Sequence, residues 1–137
     1  NNRIFANNNL RNAKPEPAMV KSALIENLTP EAVNDSMRDH RIVLVDVREP
    51  YEYAAERIHG ALNFPLSSFD PAALPVAEGK SVVLQCGTGR RSATAVAACA
   101  KADVPVTAHL AGGITAWKAA GLPIVTTDPA TGQTRDV

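Results

Sequence analysis

Cysteine is scarce in these 137 residues: there are two, Cys86 and Cys99. If one of them does chemistry, the other cannot be spared as its permanent disulfide partner, which argues against a disulfide scaffold. A surplus of charge is missing too, since 14 Lys and Arg are balanced by 14 Asp and Glu. No global field draws in nucleic acid or an anionic membrane surface, so partners have to be recognised locally. No apolar run approaches the length of a membrane span, and no signal peptide is visible at the start. His40, His59 and His109 are scattered and neither cysteine has a paired-ligand spacing, so no metal site and no cofactor are expected. The first residue is Asn1, not Met. The cytoplasm is the expected compartment, with the periplasm as the alternative if a leader was removed.

What is present describes one ordinary domain, 45% hydrophobic and 20% charged. Six asparagines and two prolines before residue 18 show no sustained period, so residues 1–20 read as an extended or mobile arm. Residues 21–126 read as the domain, and residues 127–137 as a C-terminal tail, the polar stretch from Thr126 being unanchored. Within the domain, Ala23 to Leu28 is a weak first strand. Thr29 caps a helix that has Pro30 at its first position and runs to about Asp39. Arg41 to Val47 is the clearest strand, a nearly continuous apolar run suited to burial on both faces. Glu49-Pro50 opens a short helix through Ala55, Ala61 to Phe64 is a short strand, and Ser67 to Lys80 is a loop with one turn of helix. Ser81 to Gln85 is a strand, Arg91 to Lys101 a helix, Val104 to Leu110 the last strand and Ile114 to Ala120 a closing helix. Strands and helices that alternate in this way predict a mainly parallel sheet of about five strands with helices on both faces, the ligand lying outside the carboxyl ends of the strands.

Cys86 stands at one of those ends, followed by Gly87-Thr88-Gly89-Arg90-Arg91-Ser92 and then by helix. The first backbone N–H groups of a helix have no partner inside it and carry the positive end of its dipole. A loop with two glycines can curl so that several amides point at one place, a nest for an anion. With Arg90 and Arg91 beside it, the thiol should ionise more readily than a free one, which makes Cys86 the candidate nucleophile. A structural turn needs neither the second glycine nor paired cations. Cys99 falls in the apolar run of its helix and reads as packing, and Trp117 as a core anchor. His59 is the tempting general base, but its place at a turn before a strand favours a structural role.

These residues resemble the rhodanese family, whose active-site loop starts at a cysteine, runs six residues and leads straight into a helix. Val43-Leu44-Val45-Asp46-Val47-Arg48-Glu49 is similar to the family's first landmark and Arg57-Ile58-His59-Gly60-Ala61 to its second. Leu110 to Trp117 with Ala120-Gly121-Leu122-Pro123 is similar to the closing one. The resemblance runs from about Leu28 to Ile124 and implies a three-layer α/β/α rhodanese-like fold. The activity it implies is a thiosulfate sulfurtransferase moving sulfane sulfur through a Cys86 persulfide to cyanide or a thiol. The amides of Gly87, Thr88, Gly89, Arg90 and Arg91 would line the site, with Arg90 or Arg91, and Arg48, binding the anionic donor, and Ser92 donating to the sulfur or capping the helix. For Arg48 an ion pair with Asp46 is the preferred reading. A protein that exchanges persulfide is a further expected partner. Two alternatives stand beside this: a noncatalytic rhodanese-like binding module, and a phosphatase or arsenate reductase. Phosphatase loops of this fold hold five residues between cysteine and arginine; here Arg91 follows Cys86 after four, and Ser92 stands where that arginine would be.

Overall fold

The computed structural model describes residues 25–76 and 79–137. The expected arm, and the start of the first strand at Ala23, lie outside the described residues. The chain runs β1 (Glu26–Leu28), α1 (Pro30–Arg38), β2 (Ile42–Asp46), α2 (Pro50–Ala55), β3 (Glu56–Arg57), β4 (Leu62–Asn63), β5 (Ser81–Gln85), α3 (Arg90–Lys101), β6 (Ala108–Leu110), α4 (Gly113–Ala119), β7 (Val125–Thr127) and β8 (Thr134–Asp136). Two 3-10 turns, Leu66–Ser68 and Pro71–Ala73, interrupt the loop after β4. Five strands form one sheet in the order β1-β6-β5-β2-β4, every neighbouring pair parallel. The α/β fold with a central parallel sheet of five strands is therefore the one expected. Among the described residues no helix is long and apolar enough to cross a membrane.

Side chains alternate across a strand, so the continuous apolar runs of β2 and β5 feed two cores. Leu44 and Val83 point to one face, where Val33 of α1 and Trp117 of α4 cover them. Val45, Val82 and Leu84 point to the other, against Ala95, Val96 and Cys99 of α3. Trp117 is 2% exposed and donates its indole N–H to the Pro123 carbonyl at 2.8 Å, so it is the anchor its composition suggests. The α1 cap is as read: the Thr29 hydroxyl accepts the Ala32 N–H, with Pro30 at the first helical position. β6 is shorter than the run Val104 to Leu110. Pro105 has no N–H to give, and the Val106 N–H closes on the Val104 carbonyl at 2.8 Å, a tight turn that delays the strand to Ala108.

The unanchored reading of the last residues is corrected. β7 and β8 form an antiparallel hairpin, and β7 pairs with β3 into a second sheet, β3-β7-β8. Every residue of β8 is exposed, so that strand rests on backbone pairing with β7 and on the turn chemistry of Asp128 and Gly132. Hydrophobic patterning carries no signal for such a strand.

Two packing features shape the carboxyl edge of the main sheet. The Asp46 carboxylate, wholly buried at the end of β2, receives the Arg48 guanidinium from Nε at 3.1 Å and Nη2 at 2.8 Å, and the Arg48 amide at 2.9 Å. Nη2 also reaches the Glu56 carbonyl at 2.7 Å. This pair sews the loop after β2 to β3. The second feature is the N-terminus of α4, whose Ile114 and Thr115 N–H groups bind the carbonyls of Cys86 and Gly87 at 2.9 and 3.1 Å. Gly113 lies between them at φ +60°, where any Cβ would overlap the Cys86 oxygen and the Gly87 carbonyl carbon.

Both features yield expectations for denaturant unfolding. Arg48→Met leaves a carboxylate buried alone and should cost about 3–5 kcal/mol. Replacing Asp46 as well, by Leu, should recover most of the loss, because the buried charge goes with its partner. Gly113→Ala should cost about 2–3 kcal/mol, since the clash is with backbone and no flexible side chain can give way.

Candidate active site

Cys86 follows β5 directly, and its side chain is buried against the α3 side of the sheet. The carbonyls of Cys86 and Gly87 are turned outward to α4, so the N–H groups of the same peptide planes are turned the other way. Gly89 then adopts φ +104° as the N-cap of α3, and its N–H donates to Cys86 Sγ at 3.1 Å. The Ser92 hydroxyl stands 3.5 Å from the same sulfur. Burial works against ionisation of Cys86, but hydrogen bonds from the Ser92 hydroxyl and the Ser92, Gly89 and Thr88 amides outweigh it and lower the thiol pKa. Cys99 has burial without those donors and is pushed up to about 11. Two thiols on one face of the sheet are thus separated in acidity by the hydrogen-bond donors around one of them.

The two loop arginines diverge. Arg90 is exposed at the start of α3. Arg91 folds back along the loop, its Nη2 close enough to Gly87 that a Cβ there would meet it at 3.2 Å. Its guanidinium is held end-on by Glu52 of α2, Nη1 to Oε1 at 2.7 Å and Nη2 to Oε2 at 3.1 Å. The hydrogen bond from Arg91 depresses the Glu52 pKa, and Glu52 in turn raises that of Arg91, which also feels the Cys86 charge. Glu52 also closes the N-terminus of α2, where its Oε1 accepts the Glu49 N–H at 2.9 Å. The rim of the site is therefore tied to a helix from an earlier part of the chain.

Cys86 and the loop Gly87, Thr88, Gly89, Arg91 and Ser92 come together as the sequence suggests. Arg48 does not join them. Expected as one of the cations for an anionic donor, it is 4% exposed and committed to Asp46 and the Glu56 carbonyl, so the ion-pair reading is the one the geometry carries. His59 is exposed and lines a groove with His40, Ile42 and Lys80 at the amino ends of the strands, the opposite end of the sheet from Cys86. Three residues escape sequence reading. Glu52 carries a faint signal as the acidic residue in the first turn of α2. His109 and Asn27 carry none, because only the pairing of β1 with β6 and β6 with β5 brings them toward Cys86.

The chain is similar to known proteins in sequence and in fold. A model of the rhodanese-like domain matches residues 29–120. An uncharacterized protein of Synechocystis is 43% identical over 100 residues, covering 73% of this chain and 56% of that protein. The chain thus spans little more than half the length of that relative. A sulfurtransferase of Allochromatium vinosum is 31% identical over 103 residues, 74% of this chain and 96% of that one. The crystal structure of a thiosulfate sulfurtransferase from Pseudomonas aeruginosa superposes with a TM-score of 0.68 at 22% identity, over 87% of this chain and 23% of that one, a likeness of fold. With the family model spanning most of the chain and the cysteine loop in its expected place, the protein belongs to the rhodanese-like domain family.

Proposed function

We infer that the protein is a sulfurtransferase in which Cys86 carries the sulfur. The observation that supports this most directly is the set of donors aimed at Sγ from a loop only six residues long, Cys86 to Arg91, and from Ser92 behind it. In the first step the Cys86 thiolate attacks the outer sulfur of thiosulfate or a related small anionic donor. A new S–S bond forms, the donor's S–S bond breaks, and sulfite leaves with the bonding pair. Cyanide or a thiolate acceptor then attacks the outer sulfur of the persulfide and regenerates the Cys86 thiolate. The Thr88, Gly89 and Ser92 amides stabilise both the thiolate and the persulfide anion, which differ by one sulfur and little in charge. Arg91, oriented by Glu52, and the exposed Arg90 meet the anionic end of the donor at the rim. Arg48 stays committed to Asp46 and the Glu56 carbonyl and takes no part. A protein persulfide is the alternative donor or acceptor, met on the same rim.

Phosphate transfer fits less well. A phosphoryl group needs room for three oxygens beside the sulfur, and the position where the phosphatase arginine stands is Ser92, fully buried and bonded to Cys86 and His109. The sulfurtransferase name of the Allochromatium relative supports the sulfur reading as a class.

After incubation with thiosulfate, intact mass should show a gain of one sulfur atom on the wild type and none on Cys86→Ser, and cyanide should remove it. A folded, reduced protein that gains nothing sinks thiosulfate as the donor. The acidity difference gives a second expectation. At pH 7 iodoacetamide should alkylate Cys86 and leave Cys99 until the protein is unfolded. Because the Cys86 pKa is lowered, its labelling should persist below the ordinary thiol range and fade only as pH drops through that lowered value.

A further inference from the structure

On the α3 side of the sheet a line of four polar side chains runs from the nucleophile to the outer strand. Cys86 Sγ and Ser92 Oγ are 3.5 Å apart, Ser92 Oγ and His109 Nδ1 2.7 Å, and His109 Nε2 and Asn27 Oδ1 2.7 Å. Ser92 is fully buried and His109 is 5% exposed, while Asn27 is exposed on the edge strand. The register Asn27↔His109 in β1 and β6 sets the last two on the same face of neighbouring strands. We propose that His109 is the proton acceptor for Cys86, acting through Ser92, with Asn27 holding the imidazole in the tautomer that makes this possible.

The carboxamide oxygen of Asn27 only accepts, so Nε2 carries a hydrogen and Nδ1 presents a lone pair to Ser92. The hydroxyl then donates to Nδ1 at 2.7 Å in preference to the Gly89 carbonyl at 3.3 Å, and is free to accept from the Cys86 thiol. Ionisation moves two protons along this line. The S–H bond breaks as an O–H bond forms at Ser92, and the former Ser92 proton passes to Nδ1. The products are a thiolate that receives the Ser92 hydroxyl hydrogen and an imidazolium that donates from Nδ1 to Ser92 and from Nε2 to Asn27. Every heavy atom stays where it is. Asn27 is neutral, so unlike a carboxylate it does not hold the imidazolium in advance, and burial lowers the His109 pKa; the imidazolium forms only with the thiolate charge beside it. The ring rests neutral, ready to accept. Among the described residues, Asn27 from β1, Ser92 from α3 and the Gly89 backbone face the ring, with Cys86 beyond Ser92; Arg91 couples to Cys86 from the rim.

The proposal rests on Cys86 acting as a thiolate, and its test reads the thiolate itself: the pH profile of Cys86 alkylation by iodoacetamide in the full chain. His109→Gln keeps a side-chain partner for Ser92 but cannot take the proton. Its profile should move to higher pH by about one unit, roughly tenfold slower labelling at pH values below both midpoints, with the plateau at high pH retained. Asn27→Asp, on the exposed edge, places a carboxylate on the imidazolium and should move the profile to lower pH. A His109→Gln profile that superimposes on the wild type overturns the proposal. Should that variant not fold, Asn27→Asp decides alone: a downward shift supports the relay and an unchanged profile overturns it. Sulfur uptake from thiosulfate is measured separately on the wild type. Shifted profiles with no uptake keep the relay and remove thiosulfate transfer, whereas uptake with unshifted profiles does the reverse.

Discussion

The site depends first on what happens to two carbonyl groups. A peptide plane points its C=O and its N–H in opposite directions, so a loop can offer amides to one side only if its oxygens are satisfied on the other. Here the Cys86 and Gly87 oxygens are taken by the N-terminus of α4, which needs acceptors for its own free N–H groups. One shortage answers the other, and the inner side of the loop is left as donors facing a sulfur. Gly113 makes the approach possible, since any side chain there would occupy the space of the loop backbone.

Charge is then divided into two pairs with different duties. Asp46 and Arg48 are both buried at the sheet edge and neutralise each other, leaving Arg48 no freedom to meet a ligand. Such a pair adds little net stability over an apolar equivalent, but removing one member is costly, so it acts as a fixed strut. Glu52 and Arg91 are partly exposed, and their direct energetic contribution is correspondingly small. Their value is positional: Arg91 is kept lying along the loop where its charge reaches Cys86. Two arginines that both follow a buried strand in the sequence are thus one strut and one rim cation.

The parts of this arrangement that were legible in the sequence are those written in local chemistry. Pro30, Pro50 and Thr29 mark helix starts by their own geometry, the apolar runs of β2 and β5 announce burial on both faces, and the strand-to-glycine-to-helix passage around Cys86 marks it as the candidate nucleophile. Pairing decides the rest. Arg90 and Arg91 are chemically equal until the helix starting at Arg90 turns one outward and α2 supplies Glu52 to the other. His109 reads as one more scattered histidine until three strands are laid side by side. The last strand, β8, is exposed along its length and held to β7 by backbone bonds, which leave no pattern to read.

Both helices at the site begin with glycine, and the reason is the same in each. Ser, Thr, Asp and Asn are favoured at this position because their side chains bind the first N–H groups of the helix. At Gly89 such a side chain would compete with Cys86 for the donors that lower its pKa, and at Gly112 it would compete with the loop carbonyls that α4 captures. Both glycines also sit at positive φ, +104° and +77°, and Gly89 approaches so closely that a Cβ there would meet the Gly112 nitrogen at 3.2 Å. Leaving the caps empty costs each helix some local stability and leaves its N–H groups to the loop. The converging N-termini therefore do separate work: α3 supplies donors to the sulfur, and α4 supplies donors to the backbone that carries it.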